Sequence, residues 1–339
     1  MSTAASDERG GPAVGDTLGG RLRGLLGHHP DTALLLSSLA MLALLILVFS
    51  FTSERFLSQT VMVNILNQTA IYIIAGVGMT VVLTSGGIDI SIGSIIGVTA
   101  TLMGILMIDY GVPALVAVLA ALVIGAVCGA FNGFLVAVVR VPPIIVTLGT
   151  FTLFRGIAFL LGEGRVYMRF PDPLPWLGDG RLLGLPVPIY IALLTVIAGQ
   201  FFLSSTRLGQ RITAVGGNEE AARLAGIDVV RAKFLTYVIM GVLAGLTTVV
   251  IVARQDAAQA VMGTGVELHV IAAVILGGTS LFGGRGLVLG TVLGALILGV
   301  LNTGLLLSGV VQFWQLVALG LLLIVVVAFR MAREGTETR

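Results

Sequence analysis

Long apolar stretches dominate the chain, and short polar or glycine-containing segments separate them. A membrane-spanning helix needs about 20 mainly apolar residues, because the hydrocarbon core of a bilayer is about 30 Å thick. The pattern predicts about ten such spans. They are expected near residues 33–51, 63–83, 92–108, 112–139, 143–161, 184–203, 229–252, 266–282, 286–307 and 312–329. We therefore predict an all-α, polytopic membrane helix bundle, with its least certain boundaries at 84–92 and 277–286.

Composition supports a lipid environment. Of the 339 residues, 57% are hydrophobic and only 11% are charged, whereas soluble domains contain about 25% charged residues. The single cysteine, Cys128, lies inside a predicted span, so a disulfide framework is excluded and a packed thiol is expected. The basic residues belong to the loops between spans, so no nucleic-acid partner is expected.

The distribution of Lys and Arg predicts the orientation. Cytoplasmic loops carry an excess of these residues. With the N-terminus inside and ten spans, thirteen of the 19 fall on the inner side and five on the outer side. Both termini are therefore predicted to be cytoplasmic. The predicted organisation is a disordered cytoplasmic tail at 1–30, one transmembrane domain at 31–330 and a cytoplasmic C-terminal tail at 331–339.

Two loops stand out in this topology. Residues 162–188 fall on the outer side of the membrane and contain five prolines. Proline fixes extended or turn geometry, so this loop is predicted to be either an ordered external cap or a passive connector. Residues 204–233 fall on the cytoplasmic side and contain a charged, helix-prone stretch.

That inner stretch predicts a short helix with defined ends. Asn218 is a good N-cap, Glu219 and Glu220 suit the first turn, and Gly226 can close the helix in the left-handed conformation. Ala221, Leu224 and Ala225 share one face. A helix this short is marginal by itself, so it must dock either on its own protein or on a partner.

Several catalytic motifs are absent from the sequence. A phosphate-binding loop needs Gly-Lys-Ser/Thr, but the only lysine, Lys233, lies between Ala232 and Phe234. There is also no HExxH zinc motif and no Gly-x-Ser-x-Gly nucleophile motif. We expect no enzymatic activity, no catalytic residue, no metal and no cofactor in this chain.

Five segments carry a resemblance to a known family. They are "LTSGGIDISIGS" (83–94), "GAFNGFLVAVVRVPPIIVTLGT" (129–150), "TRLGQRITAVGGNEEAARLAGIDV" (206–229), "VILGGTSLFGGRGLVLGT" (274–291) and "FWQLV" (313–317). Together they resemble the ribose-type permeases of bacterial ABC importers, in the binding-protein-dependent transport family that also includes branched-chain amino acid permeases. The resemblance extends over roughly residues 33–330.

The resemblance implies a function and partners. It implies a multi-pass permease of the bacterial inner membrane that translocates a monosaccharide, ribose or a related pentose or hexose. The sugar would come from a periplasmic or lipid-anchored binding protein, a separate ABC ATPase would supply energy, and a second permease copy or a sister chain would complete a dimer. It assigns ATPase coupling to Gly216, Gly217, Asn218, Glu219, Glu220, Ala221, Ala222, Arg223, Leu224 and Gly226.

Polar residues inside the predicted spans are costly and are candidates for function. The candidates for the translocation path are Asn64, Gln68, Asp89, Asn132, Thr147 and Asn302. Each also has a structural interpretation, as interhelical hydrogen-bonding glue or, for Asp89, as a cap on the following helix. An alternative function is a proton-coupled secondary transporter of a small polar solute, with Asp89, Glu267 or His269 as the proton relay; such a carrier needs no coupling helix.

Overall fold

A computed structural model describes residues 30–337, which are almost entirely helical. The tail predicted at 1–30 lies outside the described residues, apart from Pro30. The last helix continues to Glu337, past residue 330, where the transmembrane domain was expected to end.

Nine long helices and four short ones follow one another along the described chain. The long helices are α1 (Pro30–Thr52), α2 (Gln59–Thr84), α3 (Ile92–Gly104), α4 (Ala114–Ala137), α5 (Pro143–Gly162), α7 (Val187–Ser205), α10 (Val229–Gln255), α12 (Val288–Leu307) and α13 (Gln312–Glu337). A π-helical turn, Ile105–Asp109, extends α3. The short helices are α6 (Trp176–Asp179), α8 (Arg207–Gly217), α9 (Glu219–Leu224) and α11 (Val266–Leu276).

The only strands among the described residues are four two-residue segments. Strand β1 (Tyr167–Met168) pairs antiparallel with β4 (Ala257–Ala258), and β2 (Arg181–Leu182) pairs with β3 (Leu185–Pro186). The protein is thus a helical membrane protein, as the sequence predicts.

Eight helices in the described part of the chain are long and apolar enough to cross a membrane. They correspond to the first seven predicted spans and to the ninth. The eighth predicted span, 266–282, is helical only through Leu276, and 11 residues extend about 16 Å, half the hydrocarbon core. The helix stops because Gly278 adopts the left-handed conformation (φ +103°). The tenth predicted span, 312–329, lies within α13, which is helical from Gln312 to Glu337.

Glycine lets α4 and α10 pack backbone against backbone. A Cβ atom on Gly241 would lie 2.0 Å from the carbonyl oxygen of Gly125, and one on Gly129 would lie 2.1 Å from that of Tyr237. Neither position can accept a side chain without moving the helices apart. The small-xxx-small spacing in both segments is typical of helices that pack closely.

The segment between α5 and α7 is ordered. Its strand β1 pairs with β4, Leu174 is completely buried, and the Phe170 amide donates to the Asp256 carboxylate at 2.8 Å. A Cβ atom on Gly178 would lie 2.4 Å from the Ala253 backbone. The proline-rich segment is therefore fastened to the end of α10.

Candidate functional site

The short helix α9 has the ends that the sequence predicts. The Asn218 side chain accepts a hydrogen bond from the Ala221 amide at 2.9 Å. At the other end Gly226 is left-handed (φ +80°), and the Ile227 amide bonds to the Ala222 carbonyl at 3.0 Å. This pairing satisfies a carbonyl that the helix leaves free. Helix α9 is fixed by its own sequence at both termini.

One face of α9 packs on the protein and the other is free. Ala222 is 5% exposed and lies in the apolar cluster beneath the helix, whereas Leu224 is 85% exposed. Glu220, Ala221 and Ala225 are exposed too. Water-exposed leucines are common singly, but this one is flanked by small residues on a helix that projects from the bundle.

One ion pair fastens α9 to the start of α10, and a second lies within α9. The Glu219 carboxylate accepts from Arg223 at 2.9 Å and, with its other oxygen, from the Lys233 ammonium group. The hydrogen bond from Lys233 is the largest cause that lowers the pKa of Glu219 below its ordinary value. Glu219 therefore stays charged at neutral pH and holds α9 in place.

Gly216 and Gly217, at the end of α8, lie over two helix breaks. The first break, 85–91, separates α2 from α3, and the second, 277–287, separates α11 from α12. The breaks meet where the Gly284 amide donates to the Thr84 carbonyl at 3.0 Å. Gly216 packs on both of these backbone groups. Among the predicted coupling residues, Gly216 thus packs inward, whereas Gly217 and the outer face of α9 are exposed.

Three of the path candidates, Asp89, Asn132 and Thr147, surround the first helix break. The Ser91 amide and hydroxyl donate to Asp89 Oδ1 at 2.9 and 2.6 Å, and Asn132 donates to the same hydroxyl at 2.8 Å. Thr147 donates to the Pro143 carbonyl at 3.0 Å and lies 3.4 Å from that of Ile88. All three are buried. These contacts favour the structural interpretation, in which the side chains fix the start of α3.

Two other path candidates, Gln68 and Asn302, line a cavity of about 400 Å³ between α2, α10 and α12. Asn64, one turn before Gln68, is exposed and does not line it. The cavity wall also includes Tyr72, Ile251, Arg254 and Gln255. We call it the polar cavity. The sequence did not point to three of its polar residues, Tyr72, Arg254 and Gln255.

The polar cavity offers hydrogen-bonding groups on an aromatic and aliphatic wall. Amides, a guanidinium group and a phenol supply donors and acceptors, and the Tyr72 ring stacks on His269 with centroids 5.1 Å apart. Arg254 Nη1 lies 3.5 Å from the Asn67 carbonyl. The spacing of Gln68 and Tyr72, four residues apart on α2, was the signal in the sequence, since such residues share a helix face. This chemistry suits an uncharged, hydroxyl-bearing solute.

The remaining intramembrane charges have structural partners. Arg155 donates to the Gly93 and Met262 carbonyls, both at 2.9 Å, and also to that of Ala260. Glu267 is buried and accepts from the Gly265 amide at 3.1 Å. Residues 30–337 contain no group of three or more potential metal ligands.

Comparisons with known proteins agree with the resemblance. The family model for the permease component of the branched-chain amino acid transport system matches residues 61–327. The chain is 42% identical over 294 residues to ribose import permease protein RbsC of Escherichia coli (strain K12), covering 86% of this chain and 91% of the relative. It is 38% identical over 295 residues to RbsC of Bacillus subtilis (strain 168), and the match covers 84% of this chain and 89% of the relative.

A third similar protein is also named as a transport permease. The D-allose transport system permease protein AlsC of Escherichia coli (strain K12) is 35% identical over 288 residues, covering 85% of this chain and 88% of the relative. No solved structure matches the chain.

Proposed function

We propose that this chain, which belongs to the family of branched-chain amino acid transport system permease components, is the membrane-spanning subunit of an ABC importer for a monosaccharide. Relatives that align with most of the chain are named as ribose and D-allose permeases. Ribose or a related pentose or hexose is therefore the proposed cargo. The relatives are named as permeases, so ATP hydrolysis is assigned to a separate subunit.

The observation that carries the proposal is the exposed face of α9. A short helix with its own caps, ion-paired to α10 and presenting Leu224 to solvent, is suited to enter a groove on a soluble partner. We assign Leu224 as the apolar anchor, with Ala221 and Ala225 allowing close approach. The loop 204–233 is then the coupling loop, and the partner is an ABC ATPase on the cytoplasmic side.

The polar cavity lies at the opposite end of the same long helix. Helix α10 begins at Val229, next to α9, and ends at Gln255 in the cavity wall. Its 27 residues extend about 40 Å, more than the bilayer core. We assign the cavity, with Gln68 and Asn302, as the outer part of the sugar path. Weak binding suffices there, because an external binding protein makes the selection.

The proposed setting is the bacterial inner membrane, with 31–330 as one permease domain and a second copy or a sister chain as its dimer partner. A periplasmic or lipid-anchored binding protein would deliver the sugar onto the ordered cap, 162–188. That cap is fastened to the end of α10 beside the polar cavity. Docking on the cap is therefore adjacent to the proposed entrance.

Reconstitution tests the proposal. Proteoliposomes containing the permease and its ATPase should accumulate labelled ribose, or the sugar that the binding protein carries, only with ATP inside and binding protein outside. An uncoupler should leave uptake unchanged while internal ATP is held constant. The purified chain alone should not hydrolyse ATP. Uptake that an uncoupler abolishes at constant ATP would instead establish the proton-coupled carrier.

A further inference from the structure

A second cavity, of about 210 Å³, lies at the base of α9. Its wall comes from the end of α4, the connection to α5, α9 and the start of α10, and includes Val136, Arg140, Val141, Glu219, Arg223 and Lys233. We call it the Arg140 cavity. It lies where three transmembrane helices begin or end, so it lies at the border between lipid and water.

The Arg140 cavity carries surplus positive charge. Three cationic side chains and one carboxylate line it, so the net charge of its wall is +2. Arg223 and Lys233 both bond to Glu219. Arg140 makes no ion pair with another described residue, and its side chain is exposed. The charge of Arg140 also acts on Glu219 at longer range, but its guanidinium group forms no ion pair and is open to an anion.

The backbone at Arg140 is unusual. Its φ is +67°, in the left-handed region that L-residues other than Asn, Asp and Gly seldom adopt. Glycine would fit this turn between α4 and Pro142 with less strain. Uncommon backbone geometry of this kind concentrates at functional sites. The turn therefore holds an arginine where a glycine would be less strained.

The surroundings of the cavity are suited to lipid. Its wall also contains apolar residues such as Val136 and Val141. Beside it, Ile144 and Ile145 at the start of α5 are 56% and 63% exposed, and Val230 in the cavity wall is 39% exposed. Acyl chains can pack on these side chains while a headgroup lies at Arg140. A soluble anion would make no use of this apolar border.

We propose that the Arg140 cavity binds the phosphate of an anionic phospholipid from the cytoplasmic leaflet. Basic pockets between transmembrane helices on that side are suited to such headgroups. The bound lipid would bridge the α4–α5 connection and the base of α9, so it would brace the coupling helix without touching the ATPase groove. The inference depends on the membrane orientation and not on the identity of the sugar.

Native mass spectrometry of the permease–ATPase complex tests the proposal. The complex is incubated with phosphatidylglycerol or with phosphatidylcholine of the same acyl chains. Wild type should retain phosphatidylglycerol preferentially. Arg140→Asn, which tolerates the left-handed backbone, should reduce its retention about fivefold, the effect of one basic residue near a membrane surface. Arg140→Lys should keep most of the preference.

Two further variants keep the test decisive. Arg140→Gly removes the charge and relaxes the backbone, so it should fold normally and lose the lipid like Arg140→Asn. Arg231→Gln removes an exposed charge from the first turn of α10, outside the cavity, and should retain lipid like wild type. Equal retention by wild type and both uncharged Arg140 variants would overturn the proposal, as would equal loss in Arg231→Gln.

Two other results would assign the cavity differently. Displacement of phosphatidylglycerol by an equal concentration of inorganic phosphate would identify a soluble anion as the ligand. Loss of the ATPase from Arg140→Asn, with lipid retention unchanged, would assign the cation to the ATPase interface. Either result overturns the lipid assignment and leaves the importer assignment intact.

Discussion

Gly216 lies so close to Thr84 that a Cβ atom on the glycine would stand 1.8 Å from the threonine carbonyl oxygen. The same atom would lie 2.7 Å from the Gly284 amide nitrogen, which donates to that carbonyl. The end of α8 therefore packs on the meeting point of the two helix breaks with only backbone between them. Any movement of α8 would therefore act directly on the backbone at both breaks, with no flexible side chain in the contact.

A methyl group at Gly216 should disrupt this contact. Gly216→Ala should reduce ATP-driven uptake about tenfold, since overpacking costs about 1–3 kcal/mol and 1.4 kcal/mol corresponds to a factor of ten. Gly217→Ala is the matched control, because its Cβ would meet nothing nearer than 3.8 Å. Proteoliposome uptake measures both. Equal uptake by the two variants would mean that the Thr84 contact does not limit coupling.

Leu224→Asp should separate the permease from its ATPase. Losing a central interface anchor costs about 2 kcal/mol or more, roughly thirtyfold in affinity. Because α9 lies outside the lipid, membrane insertion should be normal. Leu183→Asp, at a residue 94% exposed on the β2–β3 hairpin, makes the same change elsewhere and should keep the ATPase. Co-purification measures the effect; wild-type ATPase recovery with Leu224→Asp would remove α9 from the interface.

Acid should loosen α9 only below about pH 4.5. The hydrogen bond from Lys233 lowers the pKa of Glu219 from an ordinary 4.5. A lowered pKa means stabilisation that is complete above the unfolded value and disappears as the pH falls through the folded one. Amide exchange in residues 218–227 should therefore be constant from pH 7 to about 5, after correction for intrinsic rates, and accelerate below 4.5.

The same ion pairs can be removed at neutral pH. Glu219→Gln should lower local protection of α9 by about 0.5 kcal/mol, a value for a largely solvent-accessible pair. Glu220→Gln, in the same helical turn, removes a carboxylate that makes no ion pair with any residue from 30 to 337, and should change protection less. Indistinguishable exchange in the two variants would mean that the pairs do not hold α9.

Apolar replacements in the polar cavity should slow transport and leave assembly intact. Gln68→Leu and Asn302→Leu each remove hydrogen-bonding groups worth about 1 kcal/mol, so uptake at low sugar concentration should fall about fivefold. Thr152→Val is the control: Thr152 is exposed on α5, and its hydroxyl bonds only within its own helix, to Gly149. Normal uptake by both leucine variants would exclude the cavity from the path.

Two substitutions at Asp89 distinguish its role as a structural cap from a role as a proton relay. Asp89→Asn keeps an oxygen that can accept from Ser91, so yield and uptake should stay near wild type. Asp89→Leu leaves buried donors without an acceptor, at a cost of about 1–3 kcal/mol, and should lower the melting temperature in detergent. Loss of uptake in a stable Asp89→Asn protein would instead favour proton transfer through this carboxyl group.

Local signals in the sequence predicted the ends of α9. Capping by Asn218 and closure by Gly226 depend on residues within one or two turns, so no tertiary information was needed. The long apolar spans were predictable for a similar reason, since the thickness of the bilayer sets their length. The small-xxx-small glycine spacing in α4 and α10 is likewise a local signal of close packing, although it does not indicate which helices pair.

Features that depend on distant segments were not predictable. The sequence marks 277–286 as an uncertain boundary, but it does not indicate that the glycine-rich loop after Leu276 meets Thr84, nearly 200 residues earlier. Arg254 was counted as an outer loop charge, but the fold brings it to Gln68 and Asn302 in one cavity. Helix α8 was missed within a segment predicted as a loop.

The contact between α4 and α10 limits how the protein can change shape. Because the Gly125 and Gly241 backbones touch, neither helix can rotate or slide past the other without opening a void or a clash. The pair must move as a single rigid rod, with Arg140 and Lys233 at one end and the cavity wall at Ile251–Gln255 at the other. Bending would then have to occur elsewhere, at the glycine-rich breaks at 85–91 and 277–287. A tilt of the rod at its Arg140 end would appear as the same tilt at the end that lines the polar cavity.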